Sequence, residues 1–308
     1  MINGFLFGLA LILAPAMAWA SDAMDWLNRA VQASHALNYA GVYVYQHGDH
    51  VEMLQVMQRV DPGGEKNKVE VIDGPHRVFL RLNDELYCHS ADGKTVRLEK
   101  GAARRFFPSV LPASPAGLLE YYSPQMGGVE RVASRECQVI LLQPKDGFRF
   151  PHALCIDRAS GLPLKSVTLN DMGAPVSSST FAQLDIGKVP DSRLFVPRLA
   201  GKRVETGALD PAASPWQVTA PPGYVQVMES HRPLLGKSQP VTQMVFSDGL
   251  GALSVFIEPL PEVLHMEGLS TEGSIGIYAR RVGILKVTTV GEAPAAALIE
   301  TGNSVRSK

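Results

Sequence analysis

Histidines and cysteines are the side chains whose spacing first suggests chemistry in this sequence. His47 and His50 lie three apart, a separation that could bring two imidazoles to one metal ion. They flank Gly48-Asp49, which reads as a hairpin turn, and a metal site there would need two further convergent ligands. Cys88-His89 sets a thiol beside a base. Neighbours on a strand project to opposite faces, so these two cannot act as a nucleophile–base pair with each other. A Gly-x-Ser-x-Gly elbow, a Walker loop, a His-Glu-x-x-His pair and a Cys-x-x-Cys pair are all missing from the sequence. No catalytic, cofactor-binding or metal-ligating residue is therefore assigned, and the chain reads as a non-enzyme. The enzymatic alternative is an exported hydrolase built on one of the cysteines, which loss of activity in Cys→Ser variants would reveal.

Two other features carry chemistry of recognition and of cross-linking. Arg104-Arg105-Phe106-Phe107 joins guanidinium to aromatic groups, a combination that suits an anionic amphiphile, with charge to its headgroup and rings to its acyl chains. The plainer reading is that the phenylalanines anchor a loop to the body of the protein. Of the three cysteines, Cys137 and Cys155 fall on opposite arms of a hairpin whose turn is Pro144-Lys145-Asp146-Gly147. Counting back from the turn places them nearly opposite, in range of a cross-strand bridge. Three buried thiols acting as small hydrophobes fit equally well.

The elements that must position these groups are mainly strands. After Ser21, Met24, Leu27, Ala30 and Val31 recur at helical spacing up to Leu37, with Asp22 as the expected cap. From Ala40 the period changes to two. Val42–Tyr45 and Val51–Gln58 read as a hairpin, followed by strands at Val69–Ile72, Arg77–Leu82, Leu86–His89 and Thr95–Leu98. A Pro-rich stretch from Arg104 to Gly128, with exposed-looking Phe106, Phe107, Tyr121 and Tyr122, interrupts the sheet. Strands resume at Val129–Val132, Cys137–Gln143, Phe148–Asp157, Leu164–Asn170 and Pro175–Ile186. Residues 201–215 are Gly-, Ala-, Ser- and Pro-rich and read as a linker. A second β-rich unit, 216–308, carries strands at Tyr224–Glu229, Val241–Phe246, Leu250–Glu258, Ile275–Arg281 and Ile284–Val290 and a short helix at Pro294–Ile299.

Composition narrows the class. The chain has 308 residues, and 29 Lys+Arg against 30 Asp+Glu give a net charge of -1, without the basic excess that a nucleic-acid binder carries. Hydrophobic residues at 45% and charged ones at 19% argue against disorder. Residues 1–20 contain no charged side chain, Phe5–Leu13 is an apolar run, and Ala18-Trp19-Ala20 presents small residues where a signal peptidase reads. The expectation is a signal peptide over 1–20, and a mature protein outside the cytoplasm without a transmembrane helix.

A series of short segments resembles a known family. It runs Asn38-Tyr39-x-Gly41-x-Tyr43-Val44-Tyr45-Gln46, Arg59-Val60-Asp61, Asp73-Gly74-Pro75 and Gly128-x-Glu130-Arg131-Val132-Ala133. It continues through Cys137-Gln138-Val139, Asp146-Gly147-Phe148-Arg149 and Asp157-Arg158-x-x-Gly161-Leu162-x-Leu164-Lys165. In the second unit it includes Phe246-Ser247-Asp248-Gly249-Leu250, Ser254–Glu258, Tyr278–Gly283 and Val287-Thr288-x-Val290-Gly291-Glu292-x-Pro294. The chain thus resembles the RseB/MucB family of periplasmic sigma-E (AlgU-type) factor regulators. Leu260 to Ser274 matches no family pattern.

The resemblance implies an α+β, mainly β protein. Residues 21–200 would form an open antiparallel half-barrel like that of the lipoprotein carriers LolA and LolB. Residues 216–308 would form a smaller α/β domain that binds the periplasmic part of an inner-membrane anti-sigma factor. It implies a negative regulator that shields this partner from site-1 proteolysis, relieved by lipopolysaccharide or another acyl lipid, with no cofactor and no nucleic acid. The segment holding Arg104, Arg105, Phe106, Phe107, Tyr121 and Tyr122 is the candidate lipid-sensing loop, chosen by its position. A homo-oligomer is left open, and a periplasmic lipid or lipoprotein carrier of LolA type is the alternative.

Overall fold

The computed structural model describes residues 16–83, 85–90, 95–98, 106–197, 204–205, 214–233, 240–260, 267–272 and 275–308. Most of the expected leader, most of the expected linker and part of Leu260–Ser274 therefore lie outside the described residues. Helix α1 (Ala16–Ala36) leads into β1 (Tyr39–His47), β2 (His50–Asp61), β3 (Gly64–Val71), β4 (Arg77–Leu82), β5 (Glu85–Ser90) and β6 (Thr95–Leu98). A 3-10 turn at Pro115–Glu120 precedes β7 (Tyr122–Val132), β8 (Arg135–Pro144), β9 (His152–Asp157), β10 (Pro163–Leu169), β11 (Pro175–Ile186) and β12 (Val204–Glu205). These form one open sheet of twelve described strands in the order β12-β6-β5-β4-β3-β2-β1-β11-β10-β9-β8-β7. Every pairing is antiparallel except the short β12–β6 contact. Although three strands separate them, β7 and β11 touch. Flat strands ~4.8 Å apart could not meet this way, so the sheet is rolled.

Rolling gives the sheet a covered face, and α1 fills part of it. Ala23, Leu27, Ala30 and Ser34 are buried, at the three- and four-residue steps of one helical face. Ala23, Leu27 and Ala30 pack with Ile140, Leu142, Leu154 and Ile156 from β8 and β9. Ala33 joins the neighbouring cluster of Tyr39, Tyr43, Leu54, Val56, Val69 and Phe181. The end of the helix is tied down by polar groups: Gln58 donates to the Ser34 carbonyl at 2.5 Å and accepts from the Tyr39 hydroxyl at 3.1 Å. In this chain the helix extends back to Ala16, so Asp22 lies inside it and is not its cap.

The second unit contains β13 (Trp216–Gln217), β14 (Val225–Pro233), β15 (Pro240–Ser247), β16 (Ala252–Pro259), β17 (Gly268–Glu272), β18 (Ile275–Val282), β19 (Leu285–Gly291), α2 (Ala295–Ser304) and β20 (Arg306–Ser307). The sheet order is β14-β15-β16-β19-β18-β17, with β13 paired to β20. Helix α2 buries Ala297 and Leu298 among Met244, Phe246, Leu253, Val255, Ile257 and Val287. It is longer than the expected short helix, and β17 lies where no strand pattern was legible.

Candidate functional site

The Pro-rich stretch behaves differently at its two ends. Arg104 and Arg105 lie outside the described residues. Phe107 is buried, its ring 5.1 Å from that of Tyr43 and 4.9 Å from that of Phe181. Phe106 packs on Phe79 at 4.6 Å. Leu111 and Leu118 enter the cluster under α1. The two phenylalanines therefore fasten the segment to β1, β4 and β11. Tyr121 and Tyr122 belong elsewhere: Tyr122 begins strand β7 and is buried, although it reads in the sequence as an exposed aromatic of the insert. The four described residues of the six do not gather into one patch: Phe106 and Phe107 join the cluster around Tyr43 and Phe181, and Tyr121 and Tyr122 join the cluster under α1.

Tyr121 and Tyr122 point to the place where the two units meet. The loop between β8 and β9, residues 145–151, reaches into the second unit there. The expected strand over Phe148–Asp157 starts only at His152 because this loop leaves the sheet. Asp146 turns back to accept the Phe148 amide at 3.0 Å, and Phe148 packs against the core of the second unit. Arg149 follows, and its side chain is 0% exposed. Its guanidinium pairs with Asp146, donates to the Pro222 carbonyl, and sets Nε 3.1 Å from Asp248 Oδ2. Two rings enclose it, with centroids 4.3 Å away at Tyr121 and 5.0 Å away at Tyr224.

Asp248 is equally enclosed, with a side chain 1% exposed. Its own turn orients it, because Oδ1 accepts the Leu250 and Gly251 amides at 2.9 and 2.8 Å. Oδ2 is left for the first unit and accepts the Tyr122 hydroxyl at 2.7 Å. Burial and the Asp248 charge raise the Tyr122 phenol well above its ordinary pKa, so it stays a donor. Burial likewise raises the Tyr224 phenol, whose hydroxyl donates to the Phe148 carbonyl at 3.1 Å. His152, packed against Tyr122, is pushed down to about 4 by burial and is neutral at ordinary pH.

A second contact lies on the same junction. Glu292, just after β19, accepts the Ser177 hydroxyl at 2.8 Å and stands 2.9 Å from His47 Nε2. His47 is thus drawn to a carboxylate of the other unit, while His50 pairs locally with Glu52 at 3.0 Å. Cys88 is a half-buried thiol on β5 whose pKa is raised by burial, away from nucleophilic chemistry. Cys137 and Cys155 are joined by a disulfide with Cα atoms 5.3 Å apart. The register sets Cys137 opposite Asp157 and Cys155 opposite Val139, so the bridge runs diagonally between β8 and β9 rather than straight across.

Neither Arg149 nor Glu292 was assigned a role from the sequence. A lone arginine after Asp-Gly-Phe reads as a turn residue, and nothing local marks it as buried. Among the described residues no group of three or more His, Cys, Asp or Glu converges as a metal site, and no helix is long and apolar enough to cross a membrane.

Comparison with known proteins gives a consistent result across both units. The MucB/RseB N-terminal domain model matches residues 22–208, and the MucB/RseB C-terminal domain model matches residues 210–306. The chain is 29% identical to the sigma factor AlgU regulatory protein MucB of Pseudomonas aeruginosa, covering 99% of this chain and 97% of that protein. It is 24% identical to the sigma-E factor regulatory protein RseB of Escherichia coli K12, covering 85% and 83%. A solved complex of P. aeruginosa MucA and MucB superposes with a TM-score of 0.75 at 26% identity, over 93% of this chain and 99% of the matched chain. A crystal structure of MucB in complex with MucA(peri) superposes at 0.73 with the same identity and coverage.

Proposed function

The chain belongs to the MucB/RseB family, and on that premise we propose that it is a periplasmic, non-enzymatic regulator of a sigma-E-type envelope stress response. In this reading it binds the periplasmic segment of an anti-sigma factor in the inner membrane and shields that segment from site-1 proteolysis. The carrying observation is the length of the match. Both units correspond to a protein solved in complex with MucA, not the first unit alone. A simple lipid carrier of LolA type has no need of the second unit, which we take as the anti-sigma-binding domain, 216–308, joined by a linker at 201–215 to a lipid-binding-type domain, 21–200.

Shielding has a simple physical basis. Proteases take extended, mobile chain, so a partner that holds the target segment lowers the cleavable population by its binding free energy. At a free regulator concentration a hundred times Kd, that population falls about a hundredfold. Relief by lipopolysaccharide or another acyl lipid requires the lipid to bind the free regulator better than the complex, since equal affinity shifts nothing.

The test is titration calorimetry of residues 21–308 with the periplasmic segment of the cognate anti-sigma factor, with and without lipopolysaccharide, alongside digestion of that segment by its site-1 protease. Binding that slows cleavage and weakens with lipopolysaccharide is the expected result. Absence of binding at micromolar concentration would remove the partner and leave the lipid carrier as the working reading.

A further inference from the structure

Strand register places four polar residues in a line across the first sheet. His47 on β1 is opposite Ser177 on β11, Ser177 is opposite Thr168 on β10, and Thr168 is opposite His152 on β9. Directly opposed residues share a face, so the four form one polar row. Thr168 Oγ1 and His152 Nδ1 are 3.3 Å apart within it. The second unit meets this row with two carboxylates from one end of its own sheet, because Leu253 on β16, just after the Asp248 turn, is opposite Gly291, which precedes Glu292. Glu292 takes the His47–Ser177 end, and Asp248 takes the end marked by His152, Tyr122 and Arg149.

The chemistry of this junction is unusual for a permanent seam. Among the described residues, the aliphatic or phenylalanine side chains that pack into the opposite unit's core clusters are Leu250 and Phe148. The remaining contacts described are ion pairs, hydrogen bonds and rings over a guanidinium. Each charged group here would be well served by water if the units parted, and desolvation offsets much of what the pairing gains. Polar interfaces between domains of one chain permit relative motion by default. Removing only one partner is costly, however, because it strands a buried charge. Arg149 shows that dependence: the carboxylate 3.1 Å from its Nε is Asp248, in the other unit. Half-open arrangements are therefore disfavoured, and closed and hydrated arrangements are the two that satisfy every group.

We propose that the Arg149–Asp248–Tyr122 and His47–Ser177–Glu292 contacts form a two-point polar clasp that opens and closes the two units as one step. What the clasp controls rests on the regulator reading: a partner spanning both units binds one arrangement, and a ligand favouring the other releases it. The existence of the clasp does not rest on that reading. Each unit keeps its own hydrophobic core through the movement, as the separate clusters require.

The experiment is a distance measurement by pulsed electron paramagnetic resonance on the exported chain. Spin labels go on Met172→Cys in the first unit and Ile284→Cys in the second, 88% and 81% exposed, in a Cys88→Ser background that keeps the native disulfide. The unaltered junction is expected to give one narrow distance. Asp248→Asn with Glu292→Gln is expected to add a second, longer distance carrying at least a tenth of the population. Glu292→Gln alone, which retains a group able to accept from Ser177, guards against loss of folding and is expected to give an intermediate share. A distance unchanged in all variants, or one already broad in the native chain, would overturn the clasp. Addition of the anti-sigma segment and then lipopolysaccharide separates the two ideas. Binding without a change in distances removes the control but leaves the regulator. Absence of binding with a clasp that still opens in the variants removes the regulator alone.

Discussion

His152 is enclosed at the junction by the Tyr122 ring, the Thr168 hydroxyl and the nearby Asp248 charge, and burial outweighs that charge in setting its protonation. An unfolded histidine titrates near 6.5, whereas this ring titrates at about 4. Between those values the unfolded chain binds the extra proton and the folded chain does not. Stability therefore rises with pH through that window and is lost as pH falls from 6.5 towards 4. Asp61 and Asp191, held down to about 2 by Arg59 and Arg193, contribute in a lower window, lost as pH falls from 3.8 to about 2. The prediction is that urea midpoints fall between pH 6.5 and 4 and that His152→Gln flattens this part of the curve. An unaltered slope in the variant would clear His152 as its cause. Nothing in the local sequence separates this histidine from His50, which is paired on an exposed turn. The difference is made by strand register and by the second unit, which no short window contains.

At the scale of elements, periodicity carried most of the information. The β1–β2 hairpin was legible because Val42–Tyr45 and Val51–Gln58 alternate about a Gly-Asp turn, and the structure pairs His47 with His50 across it. The boundary of β7 was misread because Pro124 and the adjacent tyrosines look like loop chemistry. Pro124 is tolerated because β7 forms the edge of the sheet and needs no donor on its open side. The short strand β17 has no apolar alternation, since Leu269 to Glu272 are all exposed, and it pairs with β18 at the edge of the sheet. The disulfide strengthens the β8–β9 pair that supports the Arg149 loop. It closes a separation of 18 residues, so its loss should cost about 3 kcal/mol through the freed unfolded chain. Cys137→Ala with Cys155→Ala is accordingly expected to lower the Tm of the first unit, and reductant is expected to lower the wild type but not the variant. If the variant remained as stable as the wild type, the bridge would hold little of this region.

For the whole molecule, the question is whether two cores behave as one body. Gly223 offers a way to ask it without replacing a charged residue. It has φ +85, and a Cβ there would lie 2.4 Å from Tyr121 Cε2 and 2.5 Å from Arg149 Nη2. An alanine must bear a left-handed backbone, about 1–2 kcal/mol, and must also push apart the ring and guanidinium that close the junction. Neither core cluster contains this position, so each unit should fold as before. Gly223→Ala is therefore expected to split a single calorimetric unfolding transition into two, with the cores melting separately once their coupling is gone. The same variant should bind a partner that spans both units more weakly, while a partner confined to one unit should not distinguish it from the wild type. A single transition merely shifted to lower temperature would mean that coupling survives without the Tyr121–Arg149 stack. The two units would then be held chiefly by the contacts of Leu250, Phe148 and Glu292.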